Sequence, residues 1–370
     1  MGQRALIDAG LIHKMAFQVG HPLVAIILLN WNSRLDTLEC LESVFRLDYP
    51  NFRLMVCDND SSDRSLDSIE DWAAGNVPVV PASKEYVEFF LQPRPKKILS
   101  CVRHSRAQAE AAAVQPVDSD LVLIETGANL GFAGGNNVGI RFSLNVLHAD
   151  YVWLLNTDTL ADPGALTAMV ARAQKSETIG MVGSSLIYYW QPHTVQALGG
   201  ASLDKRNTRM RHIGDGSPVA DIPLDGSQVE SQMAYVIGAS MLVSRQFIEQ
   251  VGLMCEDYFL YYEEVDWALR AKGKFQFGYA PASKVFHKVG GASRRVASFT
   301  SQRYMWRNRI RFVARFLPDS LVGTLSVMAL DMLRALAKAQ FGLARAIAGA
   351  LHDARELVEQ GKSNKSWGKP

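Results

Sequence analysis

The stretch YVWLLNTDT, residues 151–159, joins an apolar run to a carboxamide and a carboxylate. A buried parallel strand that ends in this way delivers Asn156 and Asp158 to one exposed edge of a sheet. A leaving diphosphate needs its charge neutralised, and a divalent cation held by a carboxylate and phosphate oxygens does this. We therefore expect Asp158 to be a metal ligand, with Asn156 as a weaker, neutral companion. The competing interpretation is that Asp158 caps the helix that starts near Asp162-Pro163.

Proton transfer is the second chemistry that the sequence suggests, at Glu263, Glu264 and Asp266. The three acids follow the stretch FLYY, and Val265 and Trp267 lie directly before and after Asp266. Like charges this close, partly desolvated by Tyr and Trp side chains, should raise the pKa of one carboxyl group, as a general base working near neutrality requires. The simpler alternative is an ordinary helix start with favourably placed acids.

A single histidine, His287 in KVFHKVGGAS, follows a strand-like segment. Imidazole is a common transition-metal ligand, although a lone histidine is more often structural. We expect His287 and Asp158 to converge on one divalent ion, with an imidazole nitrogen about 2.0–2.3 Å from the metal in a loaded site.

The elements that must position these residues read as alternating strands and helices. Short, branched, apolar runs predict strands that are buried on both faces. The predicted strands are Leu23–Leu29, Phe52–Cys57, Leu121–Ile124 and Tyr151–Leu155, and a helix is predicted near Asn137–Val146. This alternation predicts a doubly wound, mostly parallel α/β sheet, in which ligands bind beyond the carboxyl ends of the strands. Asn30, Asp58 and Asn156 follow three of these strands and should meet at one edge.

Asp58 belongs to the run DNDSSD after the second predicted strand. Acidic residues at strand ends accept hydrogen bonds from a ribose in dinucleotide folds, and we expect Asp58 to contact a base or ribose. The run superficially resembles a calcium loop, but Asp63 stands where the sharp turn needs glycine. A solvated turn with Asx capping is the remaining alternative.

The glycine cluster in NLGFAGGNN fits neither of the common phosphate-loop patterns. We predict that it forms a turn leading into the helix near Asn137. Its backbone amides, followed by a helix N-terminus, could still meet a diphosphate.

Residues 76–120 interrupt the alternation with five prolines and a basic patch at Arg94–Lys97. A short connection would have been enough to join a helix to the next strand. Inserts of this length are commonly functional loops or disordered segments, and both alternatives stay open.

The C-terminal part combines positive charge with amphipathic helices. Residues 294–315 contain seven arginines and no acid, which favours an anionic surface or ligand. An apolar stripe at helical spacing follows at Leu321, Leu325, Met328, Met332 and Leu336. The stripe either packs onto the rest of the protein or lies on an anionic membrane.

Composition sets the class of protein without deciding its chemistry. The chain has 370 residues, 48% of them hydrophobic and 21% charged, with a formal net charge of +2. It is long enough for one large α/β domain or two smaller ones. Four widely spaced cysteines, with no CxxC pair and no evident signal peptide, fit a cytoplasmic protein with reduced thiols. No apolar run reaches about 18 residues, so we expect no membrane-spanning helix.

Together and in this order, seven stretches resemble the inverting glycosyltransferases of family 2, and within them the rhamnosyltransferase-like branch. They cover roughly residues 22–295 and are VAIILLNWN, VCDNDSSDRS, NLGFAGGNNVG, WLLNTDT, YVIGASMLVSR, FLYYEEVDWALRAKG and FHKVGGAS. The resemblance implies a GT-A fold, which is a Rossmann-like, mostly parallel sheet flanked by helices. It divides the chain into an N-terminal segment at 1–21, the GT-A domain at 22–295 and a basic, amphipathic helical extension at 296–370.

The resemblance also implies roles for individual residues. The NTD stretch would be the DxD-type motif that binds Mg²⁺ or Mn²⁺ through Asp158, joined by His287, and the acidic motif would supply the base. The residues implied in nucleotide-sugar binding are Asn30, Asn32, Asp58, Asn59, Asn129, Gly131, Phe132, Asn137 and Asn156.

Two departures from the family pattern concern the chemistry. Asn156 replaces the first carboxylate of the DxD motif, and the usual Glu-Asp pair is Glu263-Glu264 here. We favour Glu263 as the base, because it directly follows the aromatic run and Asp266, one helical turn on, could orient it. Glu264 is the alternative.

The implied reaction moves a sugar, rhamnose in the branch resembled, from a dTDP- or UDP-sugar to a hydroxyl of a glycan or polyprenyl-linked acceptor in cell-surface polysaccharide synthesis. Direct displacement would invert the anomeric carbon. Many relatives act at the cytoplasmic leaflet, so the resemblance favours peripheral attachment to the inner face of the plasma membrane through residues 294–351, and no nucleic-acid partner. A sugar nucleotidyltransferase is one rival, although residues 30–36 offer only Arg34 as a basic residue. The other rival is a non-catalytic sugar-nucleotide-binding protein, which stays open because Asn156 replaces the first carboxylate of the DxD motif.

Overall fold

The structure is a computed structural model that describes residues 21–86, 88–89, 98–111, 118–289 and 299–363. Most of the predicted N-terminal segment, the basic patch at Arg94–Lys97 and the first two arginines of the 294–315 block lie outside the described residues. The predicted domain boundary at residue 295 also lies outside them.

A large mixed sheet runs through the described residues, together with a small antiparallel sheet. In chain order the strands are β1 (Val24–Asn30), β2 (Phe52–Asp58), β3 (Cys101–Ser105), β4 (Leu121–Glu125), β5 (Tyr151–Asn156), β6 (Thr159–Ala161), β7 (Ile179–Tyr188), β8 (Val195–Leu198), β9 (Gly200–Asp204), β10 (Arg209–His212), β11 (Tyr235–Val236), β12 (Ser240–Ser244) and β13 (Gln276–His287). The large sheet has the order β3-β4-β2-β1-β5-β12-β7-β13-β6, with β8 paired to β7, and the small sheet has the order β10-β9-β11. Strands β1 to β5 are mutually parallel, whereas β12 is antiparallel to both of its neighbours.

Helices cover both faces of the large sheet. They are α1 (Arg34–Val44), α2 (Ser65–Ala73), α3 (Arg106–Ala109), α4 (Gly131–Asn145), α5 (Ala165–Ala173), α6 (Ser227–Glu230), α7 (Arg245–Val251), α8 (Glu263–Arg270), α9 (Phe299–Phe316), α10 (Leu321–Ala337), α11 (Phe341–His352) and α12 (Ala354–Ser363). On β1, Ile26 and Leu28 pack with α1, α2 and α5, and Ala25 and Ile27 pack with α4 and α7. A mostly parallel sheet that is buried on both faces and followed by C-terminal helices confirms the predicted fold class.

The predicted strands are confirmed, and three of them end at the residues singled out for chemistry. Asn30 is the last residue of β1, Asp58 of β2 and Asn156 of β5. The parallel register pairs Asn30 with Asp58 and Leu29 with Asn156. The three polar side chains therefore belong to the same edge of the sheet.

The glycine cluster is helical, and the prediction of a turn there is wrong. Helix α4 begins at Gly131 rather than near Asn137. A Cβ atom on Gly135 would lie 2.3 Å from a methyl group of Leu29 and 2.9 Å from Asn59 Oδ1. Glycine in this helix therefore lets α4 approach the ends of β1 and β2 closely, which outweighs its low helix propensity.

The described part of the insert extends the sheet. Strand β3 pairs in parallel with β4 and forms one edge of the large sheet, and the single-turn helix α3 follows it. Residues 98–111 are therefore neither a disordered segment nor a loop without secondary structure. Cysteine, valine and histidine in CVRHS gave a strand signal that the surrounding prolines obscured.

Arginines of the C-terminal block mostly hold the structure together. Arg315 Nη1 lies 2.8 Å from Asp266 Oδ2, and Arg307 Nη1 lies 2.5 Å from Asp353 Oδ2. Arg311 donates to a backbone carbonyl of the segment before α8. The expectation that this block faces an external anion is wrong for these three arginines, because their guanidinium groups are used inside the chain.

The apolar stripe predicted on the C-terminal helices also packs inward over most of its length. Met328 is fully buried, and Leu321, Leu325 and Met332 pack around the same cluster, which includes residues of α9, α11 and α12. Leu336 is 46% exposed. The packing alternative therefore describes four of the five stripe residues.

The segment Pro318–Ala337 is nevertheless long and apolar enough to cross a membrane, and only 17% of its most apolar window is buried. Asp319, Asp331 and Arg334 interrupt this segment, so it is not an unbroken apolar run, and the expectation of no membrane-spanning helix stays a prediction. Helices of soluble proteins can also be this long and apolar, so the finding by itself does not distinguish a docked helix from a spanning one.

Candidate active site

The ends of β1 and β2 form a hydrogen-bonded platform around Asp58. Asn30 Nδ2 donates to Asp58 Oδ1 at 2.6 Å, and the backbone amide of Ser61 donates to Asp58 Oδ2 at 2.9 Å. Asn32 lies beside them, where its side chain accepts from the backbone amide of Ser62 at 2.8 Å. The structure thus brings Asn30, Asn32 and Asp58 together. Their predicted contacts with a base or ribose stay predictions.

A second layer ties the end of β2 to the start of α4. Asn59 Nδ2 donates to the backbone carbonyl of Gly131 at 3.0 Å and approaches Asn129 Oδ1 at 3.3 Å. Asn129 Oδ1 also accepts from the backbone amide of Gly131 at 3.0 Å. These bonds fix the first turn of α4 at the carboxyl edge of the sheet.

Gly131 allows the start of α4 to contact the segment before α8. Its φ is +72°, and a Cβ atom there would lie 2.2 Å from the carbonyl oxygen of Phe259. The backbone amide of Phe132 donates to that same oxygen at 2.6 Å. This amide is therefore engaged within the chain, which leaves the first turn of α4 with fewer donors for a diphosphate than the sequence suggested.

A cavity of about 320 Å³ opens at this edge. The predicted site residues that line it are Asn59, Asn129, Gly131, Phe132, Asn156 and Asp158, and the residues that sequence reasoning missed are Trp31, Phe259, Thr300 and Tyr304. The Phe259 and Tyr304 rings stack with centroids 4.8 Å apart. Trp31 could have been found from its position between two asparagines, whereas Thr300 and Tyr304 reach the site only through the packing of α9.

Asn137 lies away from this cavity. Its Nδ2 donates to the backbone carbonyl of Met254 at 3.0 Å and to Glu256 Oε1 at 2.9 Å, and its Oδ1 accepts from the Met254 amide at 3.1 Å. The side chain therefore joins α4 to the segment before α8. Its predicted role towards the nucleotide stays a prediction that no described contact supports.

Asp158 and His287 converge at the end of the cavity. His287 Nε2 lies 3.2 Å from Asp158 Oδ1, and His287 Nδ1 lies 2.9 Å from Gln196 Oε1. When Nδ1 donates to Gln196 Oε1, Nε2 is the ring nitrogen that is left to act as a ligand, and it lies towards Asp158. An imidazole nitrogen beside a carboxylate, oriented by a second hydrogen bond, is a donor set that fits a divalent cation.

The described residues contain no cluster of three or more histidine, cysteine or acidic side chains that could hold a metal. Two protein ligands are nevertheless compatible with Mg²⁺ or Mn²⁺, because such ions commonly take their remaining oxygens from substrate phosphates and water. Asn156 lines the same cavity as a neutral neighbour. The ligand roles of Asp158 and His287 stay predictions.

Helix α8 starts with two glutamates, of which Glu263 is buried and Glu264 is partly buried. Glu263 is 3% exposed, and one carboxylate oxygen of each glutamate has no hydrogen-bond partner in the described residues. Burial, and then the charge of Glu264, raise the pKa of Glu263 well above its ordinary value. Burial raises the pKa of Glu264 to about 7. The pair therefore holds one proton at neutral pH, as adjacent desolvated carboxyl groups do.

Asp266, on the same helix, has a different environment. Its side chain is fully buried between Arg270, at 2.7 Å, and Arg315, at 2.8 Å, and it accepts from the Tyr258 hydroxyl at 3.1 Å. Burial raises the pKa of Asp266, and the two guanidinium charges oppose that shift. Asp266 contacts the arginines rather than either glutamate, so the predicted orienting role has no described contact to support it.

The turn before α8 has an unusual backbone. Phe259, Tyr261 and Tyr262 all have positive φ, at 61°, 70° and 79°. This region is costly for residues with a Cβ atom, at about 1–3 kcal/mol each. Asn308 of α9 offsets part of that cost, because its Nδ2 lies 2.7–3.0 Å from the carbonyl oxygens of three residues of the turn. Helix α9 thus fixes the entry to the acidic pair.

A larger cavity, of about 750 Å³, shares Phe132, Asn156, Asp158 and Leu260 with the smaller one. Glu263, Glu264 and His287 line its inner part. The outer part is lined by β10 and by the aromatic and basic side chains of α9. The acidic pair and the Asp158–His287 pair therefore face one continuous space.

A third cavity, of about 630 Å³, is lined by Asp58 at the end of β2. Arg103 of β3, Arg106 of α3 and Arg64 also line it. The insert thus contributes to the surroundings of the β2 end, which sequence reasoning did not foresee.

Comparison with known proteins gives a family match for part of the chain. Residues 25–86 match the model of Glycosyl transferase family 2. A curated relative, the low-salt glycan biosynthesis hexosyltransferase Agl10 of Haloferax volcanii, is 29% identical over 161 residues, which are 41% of this chain and 47% of the relative. The chain therefore matches about half of that relative's length.

Several solved structures have a similar shape. The mannosyltransferase PcManGT from Pyrobaculum calidifontis, in complex with GDP-Man and Mn²⁺, covers 95% of this chain and 96% of its own, at 15% identity and a TM-score of 0.47. TarS 1–349 from S. aureus covers 90% and 91%, at 12% identity and a TM-score of 0.42. The stretch of the chain that is identified with glycosyl transferase family 2 is therefore residues 25–86, which hold β1, α1, β2 and α2.

Proposed function

We propose that the protein is an inverting glycosyltransferase that uses a nucleoside diphosphate sugar. One observation carries the proposal: the Asp158–His287 pair and the Glu263–Glu264 pair face a single space formed by two joined cavities. The smaller cavity, with Trp31 and the asparagines of the sheet edge, suits a nucleotide. The larger one suits an acceptor, because the acidic pair lies on its wall. A family 2 match that includes β1 and β2 supports the same reaction class.

The metal site would be formed by Asp158 and His287. A bound Mg²⁺ or Mn²⁺ would neutralise the charge that develops on the leaving diphosphate. The chain's own contribution is to hold the two ligands together, since Gln196 fixes the imidazole ring and the backbone amide of Lys288 donates to the Asp158 carbonyl at 2.9 Å.

We now favour Glu264 as the general base, in place of Glu263. A base must be ionised, and the pKa of Glu264 near 7 makes its carboxylate available at neutral pH. Glu263 is buried whereas Glu264 is partly exposed, so Glu264 is the carboxyl group that an acceptor hydroxyl can reach more readily. Glu264 would take the proton of an acceptor hydroxyl as that oxygen attacks the anomeric carbon. Attack from the face opposite the nucleotide inverts that carbon.

The finer assignments are also proposals. The curated relative is a hexosyltransferase of glycan biosynthesis. This favours a hexose or deoxyhexose such as rhamnose as the transferred sugar, and a glycan as the acceptor. A UDP- or dTDP-sugar is the donor class that we propose. A polyprenyl-linked glycan in cell-surface polysaccharide synthesis, reached from the cytoplasm, is the acceptor that we propose.

The test is a panel of UDP-, dTDP- and GDP-sugars with Mn²⁺ or Mg²⁺, in which the released nucleoside diphosphate is measured. We expect release from one donor class, dependent on the metal and lost in Asp158→Asn. Release of pyrophosphate from a nucleoside triphosphate and a sugar phosphate would instead establish a nucleotidyltransferase. Tight binding of a sugar nucleotide without turnover would establish a non-catalytic binding protein.

Peripheral membrane attachment remains part of the proposal, but through exposed residues of α10 and of the start of α11 rather than through the predicted stripe. Val322, Leu333 and Phe341 are 76%, 58% and 68% exposed, and Lys338 lies among them. An exposed apolar face with basic residues suits an anionic lipid surface. Flotation with anionic liposomes should recover the wild-type protein and lose Leu333→Glu. Equal recovery of both at low salt would remove the membrane from the proposal.

A further inference from the structure

The outer wall of the larger cavity carries more positive charge than its neighbours neutralise. Strand β10 contributes Arg209 and Arg211, and α9 contributes Arg309. Asp331 of α10 is the acid on this wall, and it lies 3.4 Å from Arg209 and 3.1 Å from Arg334. One carboxylate therefore lies close to two guanidinium groups. Neither Arg211 nor Arg309 forms an ion pair among the described residues, although the charge of Asp331 also acts on Arg309.

The two remaining arginines are held differently. Arg309 is 5% exposed, and it donates through Nε to Thr208 Oγ1 at 3.1 Å and through Nη2 to the Asn207 carbonyl at 2.6 Å. These partners are neutral, so its charge is oriented but not cancelled. Arg211 is exposed, and no side-chain hydrogen bond or ion pair involves it among the residues that the structure describes.

Other titratable groups of this cavity do not cancel the charge. His212 lies on the same wall, and burial lowers its pKa, so the ring is neutral at pH 7. The remaining acids, Glu263, Glu264 and Asp158, belong to α8 and to the segment after β5, whereas the three arginines belong to β10 and α9. The outer half of the cavity is therefore electropositive, next to the aromatic side chain of Trp306.

We propose that this wall, formed by Arg209, Arg211 and Arg309, binds an anionic group on the acceptor. The inference rests on the proposed function and names the acceptor class: a glycan that carries a phosphate or a carboxylate close to the hydroxyl that is glycosylated. Arginine suits both anions, because its planar guanidinium group donates two parallel hydrogen bonds to two oxygens. Trp306 beside the arginines offers a face on which a sugar ring can lie.

The test uses three probes with the same alkyl chain: octyl phosphate, octyl glucuronide and octyl glucoside. Their affinities for the full-length protein are measured by calorimetry in the presence of UDP and Mn²⁺. We expect at least one anionic probe to bind about tenfold or more tightly than the neutral glucoside, because one charge-assisted contact contributes about that factor. Preference for the phosphate or for the glucuronide identifies the source of the anion.

The variant Arg211→Gln should reduce that preference to about twofold or less, and Arg211→Lys should restore part of it. Arg206→Gln is the matched control, because Arg206 is exposed in the turn before β10 and lies outside the lining of the cavity. A wild-type protein that binds all three probes equally, or an Arg211→Gln variant that keeps the full preference, would overturn the inference. Binding needs no turnover, so failure of the proposed reaction would appear separately, as a lack of nucleotide release.

Discussion

The donor edge of the sheet and the C-terminal helices contribute to one site in opposite ways. At the donor edge, Asn30, Asp58 and Asn156 are each placed by the strand that they end; Asn156 lines the two joined cavities, and Asp58 lines the third cavity. Helix α9 instead acts through the chain: Asn308 holds the strained turn before α8, and Arg315 neutralises Asp266. The first region supplies chemistry, whereas the second mainly supplies geometry. Substitutions in the two regions should therefore change different measurements.

The largest expected effect separates the two glutamates. Glu264→Gln should lower kcat by roughly 10²–10⁴-fold, the usual contribution of a general base, and leave the affinity for UDP unchanged. Nucleotide release in single-turnover experiments and calorimetric titration with UDP measure the two quantities. Glu263→Gln is the matched control and should lose less. A larger loss in Glu263→Gln than in Glu264→Gln would return the role of base to Glu263.

The next effect concerns Gln196, which orients a proposed metal ligand. Gln196→Ala removes the acceptor for His287 Nδ1 and should weaken Mn²⁺ binding about 10–100-fold, as loss of a ligand's orienting partner commonly does. Electron paramagnetic resonance titration of Mn²⁺ in the presence of UDP measures this. Gln191→Ala, an exposed substitution nearby in the chain, should have no effect. An unchanged Mn²⁺ affinity in Gln196→Ala would count against His287 as a ligand.

A third substitution tests whether α9 acts on geometry. Asn308→Ala removes three hydrogen bonds to backbone carbonyls of the turn and should lower the free energy of unfolding by about 1–3 kcal/mol. It should also lower kcat while the affinity for UDP stays close to the wild type. Urea unfolding and the two activity measurements test this, with exposed Arg303→Ala on the same helix as control. Loss of UDP affinity with unchanged kcat would mean that α9 acts on the donor side.

The smallest effect is the pH dependence of the acidic pair. Both glutamates have a pKa above the ordinary 4.5, so the folded protein binds more protons than the unfolded chain between 4.5 and about 7. Stability should therefore fall as pH rises through that window, while turnover rises because Glu264 becomes ionised. Urea unfolding across the window should show a flatter pH dependence in Glu263→Gln. Identical slopes for the two proteins would indicate that the pair titrates normally.

Sequence predicted the donor edge well because its residues follow local patterns. An apolar run that stops at Asn30, Asp58 or Asn156 places each side chain without knowledge of the rest of the chain. Asp266 and Glu264 show the limit of that reasoning. They lie on one helix turn, but only the packing of α9 determines that Arg315, far along the chain, reaches Asp266 and leaves the glutamates without a cation. The same long-range packing of α9 places Tyr304 in the lining of the smaller cavity.

Strand β3 has a consequence for the behaviour of the protein in concentrated solution. Without it, β4 would end the sheet, and its apolar LVLIE backbone would present unpaired amides and carbonyls to any other extended chain. Strand β3 covers that row and places the charged Arg103, with its acidic partners, at the middle of the new edge. The insert therefore protects the sheet against intermolecular strand pairing. Its removal should cause aggregation in concentrated solution before it causes a loss of catalysis.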